Sequence, residues 1–247
     1  MVSAYKRNLE RVKVNGWFLE DISDQTEELC IAAVSSQGCA LMYVWKQTLA
    51  ICLAAVSQDG MALEFVDEQT PEMCLAAVSH DGYALQWVIN KTEAICLAAV
   101  KQNGFAVQFV DNVTEKIGIA AMRLNGYSLK FIKNQTEAMC LAAIRQNSCA
   151  LELVKNKTHE MCIIAVKKNG YALRYVDVYT NEMCLLAIKK NPGAIQYVSD
   201  PTLEMCLLAV TKSGSSLQFI TNQTKEIIDA ALAQNPKARI YVKINYQ

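Results

Sequence analysis

Histidine is nearly missing from this sequence, with two residues in 247, and proline is scarce, with four. Two histidines leave little for an imidazole-based centre, and no C-x-x-C pair supplies thiolates for zinc. No glycine-rich phosphate loop of the G-x-G-x-x-G or lysine-bearing type is present. Long apolar runs are missing too, since none approaches the ~18 residues of a membrane-spanning helix. Charge is low, at 19% of residues, and sums to zero: 24 Lys+Arg stand against 24 Asp+Glu. That balance excludes a uniformly basic nucleic-acid binder. The opening stretch, MVSAYKRNLERVKVNG, holds no apolar core of the signal-peptide kind. The expectation is a non-enzyme with no catalytic residues, metal, cofactor or membrane partner.

What is abundant is apolar and periodic. Hydrophobic residues make up 52% of the chain, which excludes intrinsic disorder. Thr stands at 26, 48, 70, 92, 114, 136, 158, 180, 202 and 224, always 22 residues apart. Seven residues after each Thr comes Ala, from Ala33 to Ala231. Four after it comes Cys in eight of ten repeats, with Gly118 and Ile228 as exceptions. Twelve after it comes Gly, replaced by Ser148, Pro192 and Pro236. Asn15-Gly16 falls in phase and adds an eleventh repeat at the N-terminus. Such periods mark stacked repeats, each too small to bury its apolar face alone.

Each repeat reads as two short helices. Thr is a good N-cap, and Pro71 directly after Thr70 suits the first helical position. Glu72, Glu137, Glu160, Glu182 and Glu204 favour the positive end of the helix dipole. Met205-Cys206-Leu207-Leu208-Ala209-Val210 has no polar face, so the first helix is buried on several sides. The second element, N-G-Y-A-L-x-F-V, opens with Asn, followed by Pro in Asn191-Pro192 and Asn235-Pro236. Tyr83, Leu85 and Trp87 also alternate as in a strand, but prolines at the start favour a helix. The expected fold is all-α: an α-solenoid, a superhelical stack of eleven 22-residue two-helix repeats. It is read as one domain over 1–247, with capping repeats at about 4–25 and 224–247 around full repeats at 26–223. Arg7, Arg11 and Asp229 replace apolar residues in those caps.

The phrase M-C-L-A-A-V-x-x-N-G-x-A-L-x-F-V resembles a short helical repeat family known only as a domain of unknown function. That family occurs in giant viruses of amoebae, in amoeba-associated bacteria and in some protists. The resemblance runs from about Asn15 to Val242, with departures at Gly118, Ser148, Leu153, Gly193 and Arg239. It implies an interaction protein, such as a viral structural component or a host-directed protein, and carries no catalytic residue.

Eight cysteines at one core position read as reduced core thiols, because neighbouring helices lie too far apart (~8–10 Å) for disulfides. A reducing, cytoplasmic setting is expected, in a host cell or a virion. Cys39 and Cys149 take an aromatic position and should be more exposed. His80 and His159 read as solvated helix-end residues.

Charge is unevenly spread, with −6 over residues 1–123 and +6 over 124–247. Arg145, Lys167, Lys168, Lys189, Lys190 and Lys212 share two adjacent offsets and should form one basic strip. The strip suits an acidic protein partner or a head-to-tail contact between copies; nucleic acid is the alternative. Trp17, Tyr83, Phe105, Tyr127 and Tyr171 share the first free position of the second helix. They either seal the junction between repeats or anchor a partner.

Overall fold

The structure is a computed structural model and describes residues 4–243; positions 244–247 of the expected C-terminal cap lie outside the described residues. The chain forms two compact units, 1–134 and 135–247, divided in front of the cap residue Thr136. The 22-residue phase runs through this boundary without an insertion.

In the first unit, α-helices and six-residue 3₁₀ helices (η) alternate. They are α1 (Ala4–Val14), η1 (Gly16–Asp21), α2 (Glu27–Ser36), η2 (Gly38–Tyr43), α3 (Leu49–Gln58) and η3 (Gly60–Phe65). Then come α4 (Pro71–His80), η4 (Gly82–Trp87), α5 (Glu93–Gln102), η5 (Gly104–Phe109), α6 (Glu115–Leu124) and η6 (Gly126–Phe131). The second unit continues with α7 (Glu137–Gln146), η7 (Ser148–Leu153), α8 (His159–Lys168), η8 (Gly170–Tyr175) and α9 (Asn181–Lys190). It closes with η9 (Pro192–Tyr197), α10 (Leu203–Lys212), η10 (Gly214–Phe219), α11 (Lys225–Gln234) and η11 (Pro236–Tyr241). Among the described residues there is no strand.

Every repeat threonine caps its helix. Thr92 Oγ1, for example, accepts the Ile95 N–H at 3.4 Å. Eleven residues on, one extended residue ends the α-helix and starts the 3₁₀ helix. Asp59 donates its N–H to Ala55 O (2.9 Å), and its Oδ1 accepts the Met61 N–H (2.9 Å). The second element is 3₁₀ rather than α, and buried residues recur along it and its C-cap three apart. Gly60, Leu63 and Val66 are buried on one side, as a three-residue turn requires.

Within each unit, every repeat packs only on its neighbours: α on α, η on η, and each α-helix on the preceding η. This is an all-α solenoid, with stability spread over repeat and interface terms. Each of the helices α2 to α10 buries four positions, such as Ile95, Cys96, Ala99 and Val100 in α5, whereas α1 buries Val12 alone and α11 only Ile227 and Ala231. The invariant Ala is fully buried in every repeat from Ala33 to Ala231.

The recurrent Gly packs against the backbone of that Ala. A Cβ on Gly82 would stand 2.6 Å from Ala99 O, and one on Gly104 2.8 Å from Ala121 O. Gly16, Gly60 and Gly170 meet Ala33, Ala77 and Ala187 in the same way. No glycine has a positive φ, so close approach, not backbone freedom, selects it.

Candidate interaction surface

The basic residues of the second unit sit on the last turns of consecutive α-helices. Arg145, Lys167 and Lys189 lie nine residues after their cap threonines; Lys168, Lys190 and Lys212 lie ten after. All six are exposed. The negative end of each helix dipole favours them there. None of Arg145, Lys167, Lys189, Lys190 and Lys212 pairs with a carboxylate among the described residues, and the unit carries 13 basic and 9 acidic residues, or +4. The first unit carries 11 and 15, or −4.

Lys168 differs from the rest of the strip. Its Nζ donates to Gln146 O at 2.9 Å and also to Arg145 O, the carbonyls that end α7. Its offset serves this joint elsewhere too. Gln102 donates to His80 O (3.1 Å) and accepts the Gly82 N–H (2.8 Å). His80 is exposed, yet its Nδ1 accepts the Gly60 N–H at 3.2 Å.

A third feature shares these helices. The residue six after the cap is Ala in Ala32, Ala54, Ala76, Ala98, Ala120 and Ala142. In the eighth to tenth repeats it becomes Ile164, Leu186 and Leu208, all half-buried. Those are the three repeats with Lys at the tenth offset, Lys168, Lys190 and Lys212, one helical turn away on the same face.

Four residues of the aromatic stripe, Trp17, Tyr83, Phe105 and Tyr171, pack on a ring of the next repeat. Tyr83 meets Phe109 edge-on at 5.9 Å between centroids, and Phe105 meets Phe131 at 6.0 Å. Trp17 meets Tyr43 at 6.0 Å, and Tyr171 meets Tyr197 at 6.4 Å. Each pair joins the first free position of one η to the last position of the next. Lys130 lies over both Phe105 and Phe131, and Arg174 over Tyr197. Tyr127 is 39% exposed and Tyr171 40%. Tyr83, Phe105 and Tyr127 belong to the first unit, whereas Tyr171 shares the second unit with the basic strip.

Sequence reading overlooks the residue just before the cap. Gln47 donates to Phe65 O (2.7 Å) and accepts the Asp67 N–H (3.1 Å), gripping the turn of the next repeat. Gln25, Gln69, Gln135 and Gln223 do the same to Tyr43, Trp87, Leu153 and Tyr241. The core thiols support these amides, as in Cys52 Sγ to Gln47 Oε1 at 3.3 Å. The recurrent Gln-Thr pair is the sequence signal for this clamp.

The eight core cysteines are buried and free, and Cys39 and Cys149 are half-buried. Burial raises the thiol pKa of Cys96, and the same cause acts on the other seven. Cys39 is pushed up to about 11, by burial first and then by its hydrogen bond to Asp59. Such thiols are poor nucleophiles. Among the described residues no three His, Cys, Asp or Glu side chains converge on a metal position. No described helix is long and apolar enough to cross a membrane. Comparison with protein-family models, curated proteins and solved structures gives no match.

Proposed function

We propose that this chain is a non-enzymatic interaction scaffold, and that the basic face of its second unit contacts a protein partner. The observation that carries this reading is the row formed by Arg145, Lys167 and Lys189. They are exposed cations on three consecutive α-helices, without an internal counter-charge among the described residues. A repeated surface suits an extended partner, and unpaired cations favour an acidic one. In this reading Tyr171 acts as part of the seam that holds the second unit's repeats together, and Tyr83, Phe105 and Tyr127 take the matching position in the first unit.

The test is charge reversal. Lys167→Glu with Lys189→Glu is compared with the natural chain as bait in extract of the native host. Loss of a partner protein from the reversed bait supports the reading, and an unchanged catch overturns it. A catch made of nucleic acid, weakening steeply with salt, overturns it in favour of phosphate binding.

The unit charges of −4 and +4 favour one second reading, a head-to-tail contact between copies. Light scattering at low ionic strength checks it: a chain that stays monomeric there removes this reading.

A further inference from the structure

In the eighth, ninth and tenth repeats, the basic strip and an enlarged aliphatic strip run side by side. Ile163, Leu185 and Leu207 lie five residues after the caps, with Ile164, Leu186 and Leu208 beside them, all half-buried. One helical turn further come the cations Lys167, Lys189, Lys190 and Lys212. Neighbouring helices in this packing stand about 8–10 Å apart. The surface therefore offers a positive charge with an apolar floor beside it, repeated about every 8–10 Å across the helices.

That spacing selects a conformation for the partner. A β-strand presents like side chains on one face about every 6.6–6.8 Å, which falls out of step within two repeats. A polyproline II chain presents one face every third residue, about 9.3 Å, and stays in step. An acidic α-helix with a heptad pattern would also repeat near ~10.5 Å, but its body is ~10–12 Å across. The cation and aliphatic rows lie four residues apart along each helix, about 6 Å, too narrow to flank such a body. A polyproline II chain can direct two of its three faces at the two rows.

We propose that the α-helical face of the eighth to tenth repeats binds an extended acidic segment of a partner protein in polyproline II conformation. That segment carries Asp or Glu at every third position and an aliphatic residue beside it. The inference rests on the interaction reading above and adds the partner's chemistry and periodicity to it. The paired change from Ala to Ile or Leu and to Lys, confined to the same three repeats, is the mark of this site. The aliphatic change is not needed for the helical core, which the other repeats build with Ala at the same offset.

The test is fluorescence anisotropy with labelled synthetic peptides and the full chain. One peptide has about five Glu-Leu-Pro triplets; the other has the same composition with its glutamates in one block. The triplet peptide is expected to bind about tenfold tighter than the block peptide. Leu186→Ala should weaken it several-fold, with thermal melting as the folding control. Lys167→Glu with Lys189→Glu should lose it. Equal affinity for both peptides, with the reversed variant binding neither, overturns the polyproline II assignment and leaves the basic face as a contact surface. Unchanged binding by the reversed variant overturns the surface itself. Tighter binding of an acidic heptad helix, of an oligothymidylate or of a second copy of the chain overturns the proposal in favour of that partner.

Discussion

Lys157 Nζ lies 2.9 Å from the carboxylate of Asp177, twenty residues further on, at the position where five other repeats place a glutamine clamp. Lys91 and Asp111 repeat the arrangement at 3.4 Å. Where the clamp residue is Lys, the turn residue it meets is Asp; the ion pair replaces two amide hydrogen bonds. Gln47→Ala should therefore cost about 1–3 kcal/mol, the sum of two such bonds in a half-buried joint. Lys157→Gln should cost under about 1 kcal/mol, because the new amide can grip the same backbone and a partly exposed ion pair contributes little. Urea unfolding of the two variants decides: equal losses would remove the clamp as a stabilising device.

Glycine is required by its neighbour's backbone at one offset and not at the next. Gly82→Ala drives a methyl to within 2.6 Å of Ala99 O, an atom fixed inside a helix. It should lower stability by about 1–3 kcal/mol through overpacking. Gly193→Ala meets the hydroxyl end of Tyr171 at 2.8 Å, and that ring can swing aside. It should cost a few tenths to about 1 kcal/mol, within the range of ordinary substitutions. Thermal melting of the pair checks the contrast, and a larger loss at Gly193 would refute it.

Much of this fold is legible because each repeat restates it. Thr, Ala and Gly at fixed offsets disclose the caps, the tight α–η contact and the repeat length before any coordinates are known. The second element is legible as a helix, but its 3₁₀ character lies in the three-residue steps from Gly60 to Leu63 to Val66, which also suit other turns. The Gln clamp escapes notice because an isolated polar residue before a cap reads as loop. Only its partner, eighteen and twenty residues on, gives it a role. The basic strip follows from charge and phase alone. The capture of Lys168 by the end of α7 does not, because it depends on where the preceding helix stops. The change from Ala142 to Ile164 is visible in the sequence, but it gains meaning only when Ile164 is seen half-buried below Lys168.

The core thiols tie stability to alkaline pH. Burial holds their folded pKa values above the usual one, while unfolded thiols ionise near ~8.5. Below that pH both states are protonated and the contribution is fully present. Above it the unfolded chain sheds protons that the folded chain keeps, so stability falls as pH rises. The urea midpoint should hold steady from about pH 6 to about 8 and drop from about 8 to 10. Cys96→Ala with Cys162→Ala should make the drop shallower; an equal slope in that variant would refute the linkage.

The same burial orders the thiols by reactivity. Cys39 is half-buried, but its Sγ donates to Asp59 at 3.4 Å, which opposes thiolate formation. Cys149 is half-buried too, and the matching residue twenty positions on is the neutral Asn169. Iodoacetamide at about pH 8 should label Cys149 first among the ten, since only accessible thiolate reacts. Peptide mass spectrometry over a time course checks this, and earlier labelling of any core cysteine would contradict the buried row.

The aromatic stripe separates stability from binding. Tyr171 packs edge-on against Tyr197, and Arg174 lies over the Tyr197 ring. Tyr171→Ala removes that ring pair and should cost about 1–2 kcal/mol, the pair term together with part of the ring's burial. Tyr171→Phe keeps the ring and should be nearly neutral. If the stripe is a seam, neither variant changes the affinity of the acidic triplet peptide by more than about twofold at a temperature where both are folded. If Tyr171 anchors a partner instead, Tyr171→Ala lowers affinity about tenfold or more, as expected for an aromatic hot spot. Melting and anisotropy on the same preparations distinguish the two roles.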